Sequence, residues 1–187
     1  MVTHTIKNQK KISNKISNST GNVTIYESPE KSKTDIQIFV NDYSTPVYET
    51  SVNNSHVWSK TPQIEKTPIT YFDFSGIVTV KIVLSNDARN VIVRPLNSNI
   101  IPIVEGKNIS FTISQAGTYT VEYNDSVKRA IHIFANETLQ IPEGKVCYIS
   151  PGIHEESIIA SDDEIIYIAG GAIVRGQIIV NNVKNVT

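Results

Sequence analysis

Short apolar runs, separated by polar turn residues, form the hydrophobic pattern of this chain. Between residues 23 and 135 these runs return about every 8–12 residues, a spacing typical of the strands of a β-sandwich. Apolar and polar residues alternate within 78–82 (Val-Thr-Val-Lys-Ile) and again within 109–113 (Ile-Ser-Phe-Thr-Ile). Such alternation gives a strand one buried and one solvated face. No segment shows the ~3.6-residue apolar period of an amphipathic helix, so the pattern predicts an all-β fold with little helix.

A different pattern follows in the C-terminal part of the chain. The segment 146–152 (Val-Cys-Tyr-Ile-Ser-Pro-Gly) is echoed about 20 residues later by 165–171 (Ile-Ile-Tyr-Ile-Ala-Gly-Gly). Each segment is followed by a second apolar run, at 158–160 and at 178–180. Short strands that return at this period are typical of a solenoid, in which each coil covers the apolar face of its neighbour. A third coil would begin near Thr187, so we expect the chain to be the front part of a longer protein.

The two patterns predict three parts. Residues 1–22 are polar and rich in Lys, Asn and Ser, and we expect a disordered tail. Residues 23–135 are predicted to form the β-sandwich, and 136–187 the start of a parallel β-helix that is cut off. The open end of this β-helix would leave apolar side chains partly exposed and could support self-association. The residues concerned are Ile173, Ile178, Ile179 and Val180.

Composition narrows the range of partners and cofactors. A hydrophobic content of 40% with 19% charged residues is ordinary for a chain that buries a core. The net charge of −1 gives no electrostatic basis for nucleic-acid binding, and no apolar run approaches the ~18 residues that span a membrane. The single cysteine, Cys147, has no metal-ligand partners nearby and is interpreted as a small buried hydrophobe. Nucleotide-binding and common metal-hydrolase motifs are absent from the sequence, so no cofactor or metal is predicted.

Several segments resemble one family of proteins. The stretch 71–81 (Tyr-Phe-Asp-Phe-Ser-Gly-Ile-Val-Thr-Val-Lys) resembles a strand pair in the N-terminal β-sandwich of certain glycoside hydrolases. The other matching segments are 91–96, 109–113 with 117–119, 167–176 and 182–187. The last two look like the opening coil of the right-handed parallel β-helix that follows that sandwich. The resemblance is to dextranase-like enzymes of glycoside hydrolase family 49 and to related polygalacturonase-like proteins near family 28, and it covers residues 23–187.

The resemblance implies a fold and an activity. The fold is an all-β N-terminal sandwich followed by the first coils of a right-handed parallel β-helix, and the activity of the whole protein is polysaccharide hydrolysis. Such enzymes generally invert the anomeric centre, with a general acid and a general base about 6.5–9.5 Å apart. The family's catalytic aspartates lie several coils into the β-helix, and no residue here matches them. We therefore assign no catalytic residue and expect these 187 residues alone to be inactive.

The resemblance also suggests an extracellular or cell-surface location. The first 22 residues, however, lack the apolar core of a signal peptide. The location is therefore left open.

Two groups of residues are candidates for a site. Trp58, with His56 and Tyr48, could form a platform on which a sugar ring stacks. Alternatively, these side chains hold the segment 50–68, interpreted as a loop, against the sandwich. The acidic group at 162–164 (Asp-Asp-Glu), with Glu155 and Glu156 nearby, is interpreted as a solvated turn between coils. Adjacent side chains in a turn diverge, and nothing there would raise the pKa of one carboxyl for acid catalysis.

Three further polar residues are interpreted as structural. Asp73 lies between two phenylalanines and is interpreted as an outward polar residue or a turn anchor. His132 alternates with Ile131 and Ile133, which places it on the opposite face of its strand. His154 has no histidine or cysteine at metal-ligand spacing.

Two other functions stay open at the level of the sequence. One is a non-catalytic carbohydrate-binding or adhesion module, in which the sandwich itself holds sugar. The other is a structural β-helix protein of the tailspike kind, which would form trimers. Both would use the same fold, because fold alone does not establish activity.

Overall fold

Strands make up nearly all the regular structure of the residues that the structure describes, which confirms the predicted all-β fold. The computed structural model describes residues 20–27, 34–53 and 64–187. Within these residues, helical structure is limited to one 3₁₀ turn, Leu96–Ser98. No helix in the same ranges is long and apolar enough to cross a membrane.

In chain order the strands are β1 (Asn22–Thr24), β2 (Gln37–Val40), β3 (Tyr43–Thr45), β4 (Tyr48–Asn53), β5 (Ile64–Ser75), β6 (Val78–Val83), β7 (Ile92–Arg94), β8 (Ile103–Glu105), β9 (Asn108–Ile113), β10 (Gly117–Tyr123), β11 (Ser126–Glu137), β12 (Lys145–Ile149), β13 (Gly152–His154), β14 (Ile158–Ile159), β15 (Glu164–Ile168), β16 (Ala172–Val174) and β17 (Ile178–Ile179). The strands β1–β11 form two sheets, and β12–β17 form the coils. β11 ends at Glu137 and β12 begins at Lys145, while the predicted domain boundary between 135 and 136 stays a prediction.

Two sheets face each other in the sandwich. The first has the order β1-β5-β11-β10-β7, with β4 also paired to β5, and the second has the order β3-β2-β6-β9-β8. All pairs are antiparallel except β5 with β11, which run parallel from Ile69 opposite His132 to Phe74 opposite Glu137. The alternation in β6 and β9 is confirmed, since every apolar residue of 78–82 and 109–113 is buried in the shared core.

The predicted loop at 50–68 is wrong at both of its ends, and 54–63 lie outside the described residues. The structure continues β4 to Asn53 and begins β5 at Ile64, and the two strands pair antiparallel from Tyr48 opposite Ile69 to Asn53 opposite Ile64. The polar and proline-containing sequence hid these strands because hydrophobic alternation is weak there, whereas backbone pairing with a neighbouring strand needs no apolar side chain. Trp58 and His56 lie outside the described residues.

Buried hydroxyl groups connect the two sheets. Thr70 of the first sheet donates from Oγ1 to the Pro46 carbonyl oxygen at 2.8 Å and lies 3.2 Å from the Oγ1 of Thr45 in the second sheet. Thr45 in turn donates to the Ile38 carbonyl oxygen at 3.1 Å. Since both threonines are buried, these bonds satisfy groups that would otherwise be costly to remove from water.

The C-terminal strands stack in parallel as coils. β12 pairs with β15, β13 with β16 and β14 with β17, so that like residues meet, as in Tyr148 opposite Tyr167. Those two rings stack with centroids 5.9 Å apart. Thr187 lies beside β15, where it donates its N–H to the Glu164 carbonyl oxygen at 3.1 Å and its own carbonyl oxygen accepts from the Ile166 N–H at 2.8 Å. The predicted solenoid is therefore confirmed.

The outer face of the second coil is uncovered. Ile149 of the first coil is 9% exposed, whereas its partner Ile168 of the second coil is 45% exposed. Ile178, Ile179 and Val180 are exposed and Ile173 is half-buried, as the sequence predicts. The difference between Ile149 and Ile168 is the one expected when a coil has no further coil stacked on it.

Candidate functional site

Four chain connections meet at one end of the sandwich. The β5–β6 turn at Gly76, the β9–β10 connection at 114–116 and the end of β11 lie together, because Val78 is opposite Ile113 and Gly117 is opposite Ala135. The 3₁₀ turn after β7 joins them, since Arg94 is opposite Thr120 near the start of β10. Ser85–Asp87 and Asn124–Asp125 lie at the other end of the same strands.

Three adjoining cavities lie along this end of the sandwich, and we call them together the sandwich-end groove. The first, about 580 Å³, lies between the sandwich and the second coil and is lined by residues that include Asp73, Asn136 and Tyr167. The middle one, about 570 Å³, shares Ala116 and Glu137 with the first. The third, about 370 Å³, lies beside the 3₁₀ turn and shares Ser114 and Gln115 with the middle one. The shared residues make the three cavities neighbours along one surface.

Tyr26 and Tyr71, which line the first cavity, belong to a row of stacked tyrosines. Tyr71 stacks on Tyr26 with ring centroids 6.1 Å apart and on Tyr48 with centroids 5.6 Å apart. The Tyr26 hydroxyl donates to Oδ2 of Asp73, and Asn136 donates from Nδ2 to Oδ1 of the same carboxylate at 3.5 Å. Tyr48 thus belongs to a packed aromatic row, and Asp73 is held by two partners.

Gly170 allows the sandwich to pack against the second coil. A Cβ atom at Gly170 would lie 2.3 Å from the ring of Tyr26, a distance that real Cβ atoms do not show. Tyr26 therefore contacts both Tyr71 and the backbone of the second coil. The Gly170–Gly171 pair of the repeat allows this close contact. The contact explains why glycines stand at these positions, which turn chemistry alone did not.

Two hydroxyls of this row, those of Tyr26 and Tyr71, have raised pKa values. Burial raises the pKa of Tyr71 to about 12, with the nearby Tyr48 hydroxyl adding to the effect. Burial also raises the pKa of Tyr26 above its ordinary value, and the hydrogen bond to Asp73 and the charge of that carboxylate act in the same direction. Both phenols therefore stay protonated, as hydrogen-bond donors, through the neutral range.

We expect these two pKa values to make the folded state less stable at high pH. Tyrosine in the unfolded chain ionises near pH 10.0, whereas Tyr71 in the folded chain keeps its proton up to about pH 12. The stability that this tyrosine contributes is therefore fully present below pH 10 and is lost as the pH rises towards about 12. Tyr71→Phe should therefore flatten the fall in the unfolding free energy between pH 10 and about 12, measured by denaturant titration at several pH values. Tyr43→Phe, at an exposed position, is the control. An unchanged slope in Tyr71→Phe would contradict this expectation.

The acidic group at 162–164 lies in the turn before the second coil. Its hydrogen bonds are Lys184 N–H to Asp162 Oδ1 at 2.8 Å, Asn185 Nδ2 to Asp163 Oδ1 at 2.8 Å, and Ser161 N–H and Oγ to Glu164 Oε2 at 2.8 and 3.0 Å. The backbone N–H of Ser161 lowers the pKa of Glu164 below its ordinary value. These carboxylates anchor the turn to its neighbours rather than facing one another across a cleft.

The remaining sequence candidates have structural partners. Nδ1 of His132 lies 3.1 Å from Oγ1 of Thr120, and Nε2 of His154 lies 2.8 Å from the Ser150 carbonyl oxygen. Glu155 pairs with Nη1 of Arg175 at 3.1 Å, which links the two coils. Cys147 is a free, half-buried thiol. Across 20–27, 34–53 and 64–187, no group of three or more His, Cys, Asp or Glu side chains could hold a metal ion.

Gln115, Asn136 and Glu137 are groove residues that the sequence did not reveal. Gln115 lies between β9 and β10, and Asn136 and Glu137 are the last two residues of β11. In the sequence each resembles an ordinary solvated turn residue. Only the pairing of distant strands brings them to one surface, so no local signal could have identified them.

Comparison with known proteins points to the fold. No family model matches the sequence, and no curated protein matches it. Among solved structures, Dex49A from Penicillium minioluteum, a dextranase, superposes with a TM-score of 0.53 at 14% sequence identity. The chain has a dextranase-like fold. The match covers 87% of this chain and 49% of Dex49A, so the chain spans about half the length of that structure.

Proposed function

We propose that the chain is the N-terminal portion of a polysaccharide-degrading glycoside hydrolase, of the dextranase-like or polygalacturonase-like kind. The observation that carries the proposal is the match of sandwich and coils together to Dex49A over 87% of the chain. The uncovered second coil supports it, because further coils would bury Ile168 and Ile178. Without them, that face would favour self-association of the isolated chain.

The catalytic aspartates belong, in this proposal, to coils that follow Thr187. An inverting hydrolase needs an acid and a base about 6.5–9.5 Å apart, with room for water and the sugar between them. The acidic turn at 162–164 is engaged in hydrogen bonds that order the coils. The described residues would therefore provide the scaffold: the sandwich packs beside the coils and holds their first turns.

Hydrolysis assays test this function. We expect no release of reducing ends from dextran or polygalacturonate by the 187-residue chain, and clear release by a polypeptide that includes the following coils. Replacing the aspartates of those later coils with Asn should abolish the release. Turnover by the 187-residue chain itself would contradict the proposal, as would a longer polypeptide that hydrolyses neither polymer.

A further inference from the structure

We propose that the sandwich-end groove binds a neutral polysaccharide chain, of the glucan class, next to the β-helix. The inference rests on the proposed function and adds to it a second surface that contacts the sugar chain. It assigns sugar binding to the end of the sandwich that adjoins the second coil. The argument uses the shape of the groove, its polar groups and its charge.

The groove is extended rather than enclosed. Its three cavities share Ala116 and Glu137 at one junction and Ser114 and Gln115 at the other. A compact metabolite would fill one of them, whereas a polymer could contact all three in succession. The first cavity reaches Tyr167 and Ile168 of the second coil, so a bound chain would continue onto the β-helix.

Amide and hydroxyl side chains supply the polar contacts. Gln115 lines two of the cavities, and its backbone carbonyl accepts from the Tyr119 hydroxyl at 2.7 Å, which fixes the connection that carries it. Asn136 is exposed and is oriented by Asp73. An amide offers both a donor and an acceptor, which matches sugar hydroxyls that also act as both.

Apolar groups are placed for the faces of sugar rings. Leu139 is exposed where the first cavity meets the coils. Tyr167 lines the same cavity and is held in place by its stack on Tyr148. Pockets that combine an apolar surface with a few oriented polar groups are typical of ligand sites.

Charge selects a neutral polymer over an acidic one. Asp73 and Glu137 are the charged side chains among the described residues that line the three cavities, and no Lys, Arg or His is among them. A uronate polymer would place its carboxylates against these two without a cation to compensate. Like charges brought together in this way disfavour binding, while a glucan has no charge to oppose.

Amide chemical shifts of the 187-residue chain test the proposal. Dextran oligosaccharides should shift the signals of 114–117 and 136–139, while oligogalacturonates of equal length should bind more weakly. Gln115→Ala should weaken dextran binding about three- to tenfold, the effect of losing one or two neutral hydrogen bonds. The control is Asn86→Ala, an exposed amide at the opposite end of the sandwich, which should leave binding unchanged.

Several outcomes would overturn the groove assignment. They are no binding of dextran oligosaccharides, shifts confined to the opposite end of the sandwich, unchanged binding in Gln115→Ala, or equal or tighter binding of oligogalacturonates. Because this readout is binding by the present chain, its failure is distinguishable from failure of the proposed hydrolase function, which is read from turnover by the longer polypeptide.

Discussion

Phe72→Ala is expected to lower the free energy of unfolding of the sandwich by about 3–5 kcal/mol. Phe72 lies on β5 at 0% exposure, beside Phe74 at a ring-centroid distance of 6.0 Å. Truncation would leave a cavity between the two sheets, and the close-packed core can collapse into it only in part. Denaturant unfolding followed by tyrosine fluorescence measures the change.

Phe134→Ala is the matched control. Phe134 is on the neighbouring strand β11, opposite Tyr71, but its side chain is 40% exposed. Removing it creates no enclosed cavity, so we expect a loss below about 1 kcal/mol. Equal losses in the two variants would mean that the sandwich core is not where the structure places it.

Gly176→Ala is expected to displace the second coil from the first. A Cβ atom at Gly176 would lie 2.2 Å from the Glu156 carbonyl oxygen and 2.9 Å from the Ser157 nitrogen. These are backbone atoms and cannot swing away as a side-chain end can, so the cost is about 1–3 kcal/mol or more of coil stability. Limited proteolysis should show faster cleavage within 152–187, while the sandwich keeps its unfolding midpoint.

Gly117→Ala serves as the comparison for this steric effect. The Cβ atom built at Gly117 meets no atom within 4 Å, so its cleavage pattern should match that of the unmodified chain. If Gly176→Ala were also indistinguishable from the unmodified chain, the close approach of the two coils would be contradicted.

Local patterns predicted most of the fold because they report directly on burial. The alternation in 78–82 and 109–113 corresponds to β6 and β9, and the repeat of 146–152 at 165–171 corresponds to stacked β12 and β15. The parallel pairing of β5 with β11 could not be predicted, since it joins residues distant in sequence. The β4–β5 hairpin was missed because its arms lack apolar alternation.

The candidate site was much less predictable than the fold. Asp73 was interpreted as an outward polar residue or turn anchor, and the structure shows it accepting from Tyr26 and Asn136 beside the second coil. Those two residues lie at opposite ends of the sandwich sequence, so only the folded sheet brings them together. Trp58 and His56, named with Tyr48 as a sugar-stacking platform, lie outside the described residues, and the role of Trp58 stays a prediction.

Amide hydrogen exchange along the whole chain is the most direct test of a closed sandwich that carries coils with an uncovered outer face. Exchange should be slow across 78–123, where both sheets bury their shared core, and fast across 164–187, where the second coil has a neighbour on one side. Equally strong protection in both regions would show that the C-terminal strands form a finished fold, and would contradict the account.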